Sequence, residues 1–179
     1  MKILGIAGSL RSGSYNRQLL QLAAANLPDG VELAVWESLR DLPAFDEDEE
    51  GAPSFAVAGL RAAVAAADAV LIATPEYNGS IPGALKNALD WGSRPREAAS
   101  FRGKPVAVIG ASPGSFGGVW AQAETRKVLG LMGSRVVETE LALGKAHERL
   151  AEPDAELVGQ LRAVIDLLVD EAAARAAAA

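Results

Sequence analysis

Two segments, AVLIA at Ala69–Ala73 and PVAVIGA at Pro105–Ala111, are apolar at every position. Such short, uniformly apolar runs are those of strands buried on both faces, the condition of the central strands in a parallel sheet sandwiched between helices. The rest of the chain fits that frame. Ile3–Ala7 is another short apolar run, and Val31–Trp36 sets Val31, Leu33 and Val35 against Glu32 and Ala34, a strand alternation. Ser134–Thr139 supplies a fifth strand. Between the strands, Asn16–Asn26 has helical spacing through Leu19, Leu20 and Leu22, and Phe55–Ala67 is Ala-rich and helical. A third helix is expected from Pro82, whose missing N–H costs nothing in a first turn, through Leu85 and Leu89 to Trp91. Val119–Leu131 and a long segment opened by Pro153 complete the helices, the AAARAAAA end of the latter being expected to fray. Leu39–Ser54, with Pro43, Pro53 and the acidic run Asp46–Glu50, is expected to be a surface loop. The fold class is therefore α/β: a three-layer sandwich around a five-stranded parallel sheet of order 2-1-3-4-5. With no repeat or linker in view, residues 1–179 are expected to form one domain.

Composition narrows the chemistry. The chain has no cysteine, which excludes disulfides, thiolate metal sites, Fe–S clusters and Cys nucleophiles. No apolar run approaches the ~20 residues of a membrane span. The N-terminus MKILGIAGSL reads as a first strand rather than a secretory signal. These features fit a cytoplasmic protein. A net charge of -6 argues against nucleic acid, which needs a basic face. The cluster Arg94, Arg96, Arg102 and Lys104 is read as a solvated loop, and no metal site is expected of the DEDEE run, which has no accompanying His or spaced Asp ligands.

Ligands of an open α/β sheet bind outside the carboxyl ends of its strands, where three loops here have unusual chemistry: Gly8–Asn16, Pro75–Ser80 and Ser112–Gly118. In the first, GSLRSGSYN, the glycines lack the GxGxxG spacing of a dinucleotide fold. Gly8 and Gly13 have the GxxxxG spacing of a triphosphate loop, but Ser14 stands where that loop requires Lys. What remains is a helix N-terminus with the hydroxyls of Ser9, Ser12 and Ser14, the Asn16 amide and the Arg11 guanidinium, suited to a terminal monophosphate. The same residues also describe a Ser/Asn-capped helix after a glycine turn, and the loop alone does not separate the two. The second loop, within TPEYNGSIPG, is longer than the ~2–6 residues that usually join a strand to a helix. Pro75 and Pro82 stiffen its ends, Gly79 permits close backbone approach, Tyr77 offers an aromatic face, and N–H groups around Asn78–Ser80 can donate to a heteroaromatic edge.

GSLRSGSYNRQL with TPEYNGSIPGALKNALDW, and ASPGSFGG after the fourth strand, resembles the NADPH-dependent FMN reductase family, which includes flavodoxin-like quinone, azo and chromate reductases. The similarity runs over nearly the full chain. It implies a flavodoxin-like fold, bound FMN as cofactor, NADPH or NADH as co-substrate, a two-electron ping-pong cycle to a small-molecule acceptor, and a homodimer or homotetramer. Carried onto this sequence, the phosphate loop falls on Ser9, Arg11, Ser14, Tyr15 and Asn16. The ring-binding segment falls on Pro75, Glu76, Tyr77 and Asn78 with Gly79 and Ser80 adjoining, and Ser112 and Gly114 belong to the third loop. The resemblance also implies a subunit contact near Leu89–Trp91, and an Arg–Glu contact between subunits matching Arg126 with Glu138 or Glu140.

The chemistry would then belong to the cofactor, and no catalytic side chain is expected. Glu76 is read as loop support rather than a catalytic acid, and His147, the one histidine, as a surface residue. Trp36 and Trp91 are read as packing residues; Trp120, just past the third loop, could line a substrate entrance. Two other readings share the fold: an electron carrier like flavodoxin, whose T-x-T-G-x-T loop is absent here, and a flavin-free regulatory module.

Overall fold

The computed structural model describes residues 1–178. Its sheet has the strands β1 (Lys2–Ala7), β2 (Glu32–Val35), β3 (Ala69–Thr74), β4 (Pro105–Ala111), β5 (Arg135–Val136) and β6 (Ala142–Leu143). All pair in parallel in the order β2-β1-β3-β4-β5, as the sequence predicts, with β6 further along the outer side of β4. The helices are α1 (Tyr15–Ala24), α2 (Phe55–Ala66), α3 (Gly83–Gly92), α4 (Val119–Leu131), α5 (Ala146–Arg149) and α6 (Ala155–Ala177). Helix α6 extends to Ala177, with Ala178 as its C-cap.

Strand β3 shows why its uniform apolarity is needed. Ala69, Leu71 and Ala73 join one core with α1 and α6, while Val70 and Ile72 join a second core with α2 and α3. Successive side chains of a strand point to opposite faces, so a strand with a helical layer on each side must be apolar at both parities. Each layer is fastened by local chemistry. Ser14, Ser54 and Asp154 cap α1, α2 and α6 through side-chain acceptors.

Two expectations change. The fifth strand does not run continuously over 134–139. Pro105 pairs with Arg135 and Gly110 with Ala142, so the outer strand carries two more residues than the stretch of β4 beside it. A two-residue insertion interrupts the ladder yet keeps the same face inward, because side-chain parity repeats every two residues. Second, Lys104 is not solvated: it is 4% exposed, and its ammonium donates to the Ala65 and Ala67 carbonyls at the end of α2. Leu89 and Trp91 are fully buried in their own chain. The Trp91 indole donates to the Pro43 carbonyl (2.9 Å) and meets the Phe45 ring edge-on. The 39–54 segment holds two 3-10 turns, Ser38–Asp41 and Glu47–Glu49, and its Glu47 and Glu50 pair with Arg94.

Candidate active site

The three unusual loops leave the carboxyl ends of β1, β3 and β4, which are neighbours in the sheet, and so converge. They enclose a cleft of about 240 Å3 walled by residues of all three loops, among them Ser9, Arg11, Ser14, Pro75, Tyr77 and Ser112. Tyr15, Asn16 and Glu76 also reach it; Asn78, Gly79, Ser80 and Gly114 lie outside its lining.

In the first loop, Ser14 is the N-cap of α1, its buried hydroxyl accepting from Arg17 N–H (3.2 Å). A hydroxyl that accepts once still has its proton to donate. The N–H groups of Tyr15 and Asn16 fall in the first turn, where a helix has no internal acceptors for its donors. Arg11 lies over the Tyr15 ring (5.3 Å to its centroid) and donates to the Gly13 carbonyl (2.8 Å), which presents it at the loop surface. The Asn16 side chain has another role. Its amide donates to the Ala111 carbonyl and accepts from Ala111 N–H, both at 2.9 Å, in buried surroundings. It therefore closes the end of β4 as a neighbouring strand would, which leaves only its backbone N–H for a ligand.

In the second loop, Tyr77 and Ser80 exchange both backbone hydrogen bonds (3.2 Å each) around Asn78 and Gly79, whose φ values are 55° and 74°. Positive φ at both central residues defines a type I′ turn, for which Asn-Gly is the preferred pair. The Ser80 N–H, expected as a ligand donor, is thus engaged within the turn, leaving those of Asn78 and Gly79 on its outer side. The turn is tied to α4 by two carboxylates. Glu76 accepts from Trp120 and Ala121 N–H (3.0 and 3.1 Å), supplying the cap that Gly118 lacks a side chain to provide. Glu124 accepts from the Ser80 hydroxyl (2.6 Å) and Ile81 N–H (3.2 Å). The Ser80 hydroxyl, then the Ile81 N–H, hold the Glu124 carboxyl below its ordinary range. Glu76 is accordingly a support, as read from the sequence; Glu124 was missed, and only the uncapped Gly-Gly start of the helix hinted that acidic partners were needed.

Tyr77 remains 52% exposed, and its hydroxyl lies 3.4 Å from Ser9 Oγ, joining the first two loops. Across the third loop, Phe116 and Trp120 are 65% and 53% exposed with ring centroids 5.1 Å apart. The Ser112 hydroxyl donates to Gly114 O, which also accepts from Lys145 N–H. His147 is exposed beside Glu148, away from the cleft lining.

This donor set fits a phosphomonoester bearing a flat ring system: hydroxyls, helix N–H groups and one guanidinium at one end, an aromatic face and turn N–H groups at the other. Residues 1–148 match the family described as NADPH-dependent FMN reductase. The chain belongs to that family. An NAD(P)H-dependent FMN reductase of Pseudomonas aeruginosa, PA1204, is 49% identical over 131 residues, covering 72% of this chain and 69% of that protein. A quinone reductase of Pseudomonas putida is 37% identical over 166 residues, covering 92% and 89%. Among solved structures, FerB of Paracoccus denitrificans, described as a flavoenzyme NAD(P)H:(acceptor) oxidoreductase, superposes with a TM-score of 0.88 at 32% identity, covering 97% of this chain and 98% of that one. As an FMN reductase family member with a flavodoxin-like fold, the chain is an oxidoreductase that works with FMN and NAD(P)H. Among the described residues, no helix is long and apolar enough to cross a membrane.

Proposed function

We propose that this reductase passes two electrons from NAD(P)H to quinones, free flavins or related small acceptors, the coenzyme and the acceptor occupying one open cleft by turns. The observation that carries this reading is the convergence of the three loops on a cleft with a monophosphate grip at one end and exposed aromatic walls at the other. FMN, when bound, supplies hydride chemistry at its N5 atom. The chain's residues bind and orient. Ser9, Arg11 and Ser14 with the N–H groups of Tyr15 and Asn16 hold the phosphate. Pro75, Glu76 and Tyr77 border the ring, the Asn78 and Gly79 N–H groups donate to its polar edge, and Ser112 and Gly114 close the far side. Ser80 acts as a positioning residue through Glu124, and no side chain serves as acid or base. Phe116 and Trp120 wall the entrance used by flat acceptors.

We also infer that residues 1–179 act as one FMN-binding domain, in the cytoplasm, as a homodimer or homotetramer. The Arg126–Glu140 pair read from the resemblance as a subunit contact forms within the chain (3.7 Å), and Arg126 also donates to the Thr139 carbonyl. Stopped-flow mixing of the FMN-loaded protein with NADPH or NADH, then with a panel of acceptors, tests the function. Bleaching of the flavin band by coenzyme alone and its recovery on adding a quinone are expected. Bleaching that requires the acceptor to be present would overturn the alternating scheme.

A further inference from the structure

Four of the aromatic side chains are exposed: Phe55, Tyr77, Phe116 and Trp120. Phe55 opens α2, while the other three gather on the second loop, the third loop and the first turn of α4. Large apolar rings left in water at one place mark a surface that a ligand covers. Tyr77 walls the flavin cleft; Phe116 and Trp120 stand just outside its lining. Two attachments hold them there. Glu76, which does line the cleft, accepts from Trp120 N–H, and a Cβ built on Gly118 would lie 3.8 Å from that of Glu76, so the start of α4 abuts the second loop. Pro113 also lines the cleft, and Phe116 follows it in a segment whose Gly117 carbonyl accepts from the buried Gln122 amide (3.1 Å).

The rings of Phe116 and Trp120 are inclined to each other at 53°. Rings so inclined leave a wedge, in which a third flat ring stacks on one and meets the other edge-on, both favoured arrangements. Its place outside the cleft makes the wedge selective by length. A ligand contained by the cleft touches neither ring, whereas one that extends past Glu76 and Pro113 meets both. In an acceptor, a second fused ring supplies that extension. The coenzyme gains nothing comparable. Its reacting ring is single and continues into a polar sugar phosphate, to which two apolar rings offer no partner.

We propose that Phe116 and Trp120 are specificity-determining residues for the acceptor half of the cycle, selecting fused-ring quinones over single-ring ones. The proposal rests on the functional reading above, and binding of molecules that accept no hydride separates its failure from that of the reading. Dimethoxynaphthalene and dimethoxybenzene are such probes. Calorimetry compares their affinities for the FMN-loaded protein in the wild type and in Trp120→Ala, Trp120→Phe and Phe116→Ala variants. Stopped-flow recovery of the flavin band, after bleaching by NADPH, is followed with naphthoquinone and with benzoquinone. Trp120→Ala should lose about 3- to 10-fold in affinity for the naphthalene probe and in the rate constant with naphthoquinone, and Trp120→Phe should keep most of both. Binding of the benzene probe, recovery with benzoquinone and bleaching by NADPH should move far less. Equal losses for the two probes, or an unchanged affinity for the naphthalene probe in Trp120→Ala, would overturn the proposal. So would a slowing of the NADPH bleaching in proportion to the naphthoquinone loss, which would make the two rings a wall common to both substrates. Recovery with neither quinone in the wild type would instead overturn the functional reading, the probe affinities still deciding for or against the wedge.

Discussion

Single residues divide here between those that touch a ligand and those that hold the touching residues in place. In the proposed function, Arg11 belongs to the first group. Arg11→Ala should weaken FMN binding by about 10- to 100-fold, the effect of losing a charge-assisted bond worth roughly 1.5–3 kcal/mol, with little change in the stability of the FMN-free protein. Fluorescence titration of FMN with denaturation of the apoprotein separates the two effects. Asn16 belongs to the second. Its replacement by Leu leaves the buried Ala111 N–H and carbonyl unpaired, so the FMN-free protein itself should lose about 2–4 kcal/mol in urea denaturation. Both residues were visible in the sequence as part of one Ser/Asn-rich loop, but their different roles were not. A side-chain amide at the start of a helix has the same composition whether it faces a phosphate or a strand ninety-five positions away; only the packing of β4 beside the loop decides.

At the scale of elements, junctions hold the loops and layers together, and two of them make stability rise with pH, one on the acid side and one on the alkaline side. Glu124 ties the second loop to α4 with a carboxyl pKa lowered from 4.5, first by the Ser80 hydroxyl. A lowered acid contributes stability above its unfolded value, and that contribution is lost as pH falls through the folded one. Acid-side unfolding of the wild type should therefore have a component below about pH 4.5 that Glu124→Gln lacks. Lys104, by contrast, is held below 10.5 by burial, with Arg175 adding to the shift and Asp68 opposing it. The unfolded chain binds the extra proton in that interval, so stability should rise as pH climbs toward 10.5, and Lys104→Met should flatten the rise in pH-dependent melting. The helices and four strands were legible because their periodicity is local. The break between β5 and β6 was not, because 134–139 has a strand's residues and the interruption is set from outside. Gly117 in the third loop, at φ 59°, approaches the Ala142 backbone so closely that a Cβ would sit 2.2 Å from its carbonyl carbon. Gly117→Ala should cost about 3 kcal/mol or more from strain and overlap together, measured by denaturant midpoint.

For the whole molecule, the flavin acts as a stabilising ligand of the folded state. FMN in excess at about 100 times its Kd should stabilise the protein by about 2.7 kcal/mol, a rise of roughly 5–10 °C in Tm for a chain of this size. A melting temperature indifferent to FMN would place the flavin elsewhere than on the folded chain. The two borders of the sheet have a further consequence. β2 spans four residues and the opposite border is divided into two strands of two residues, separated by the insertion. A long, straight border with open N–H and C=O groups is a template on which another chain can add a strand, the route to sticky self-recruitment and fibres. Neither side of this sheet offers such a template. An α/β protein with two wholly apolar central strands is thereby protected from adding further strands, and contact with other copies is left to its helices and loops.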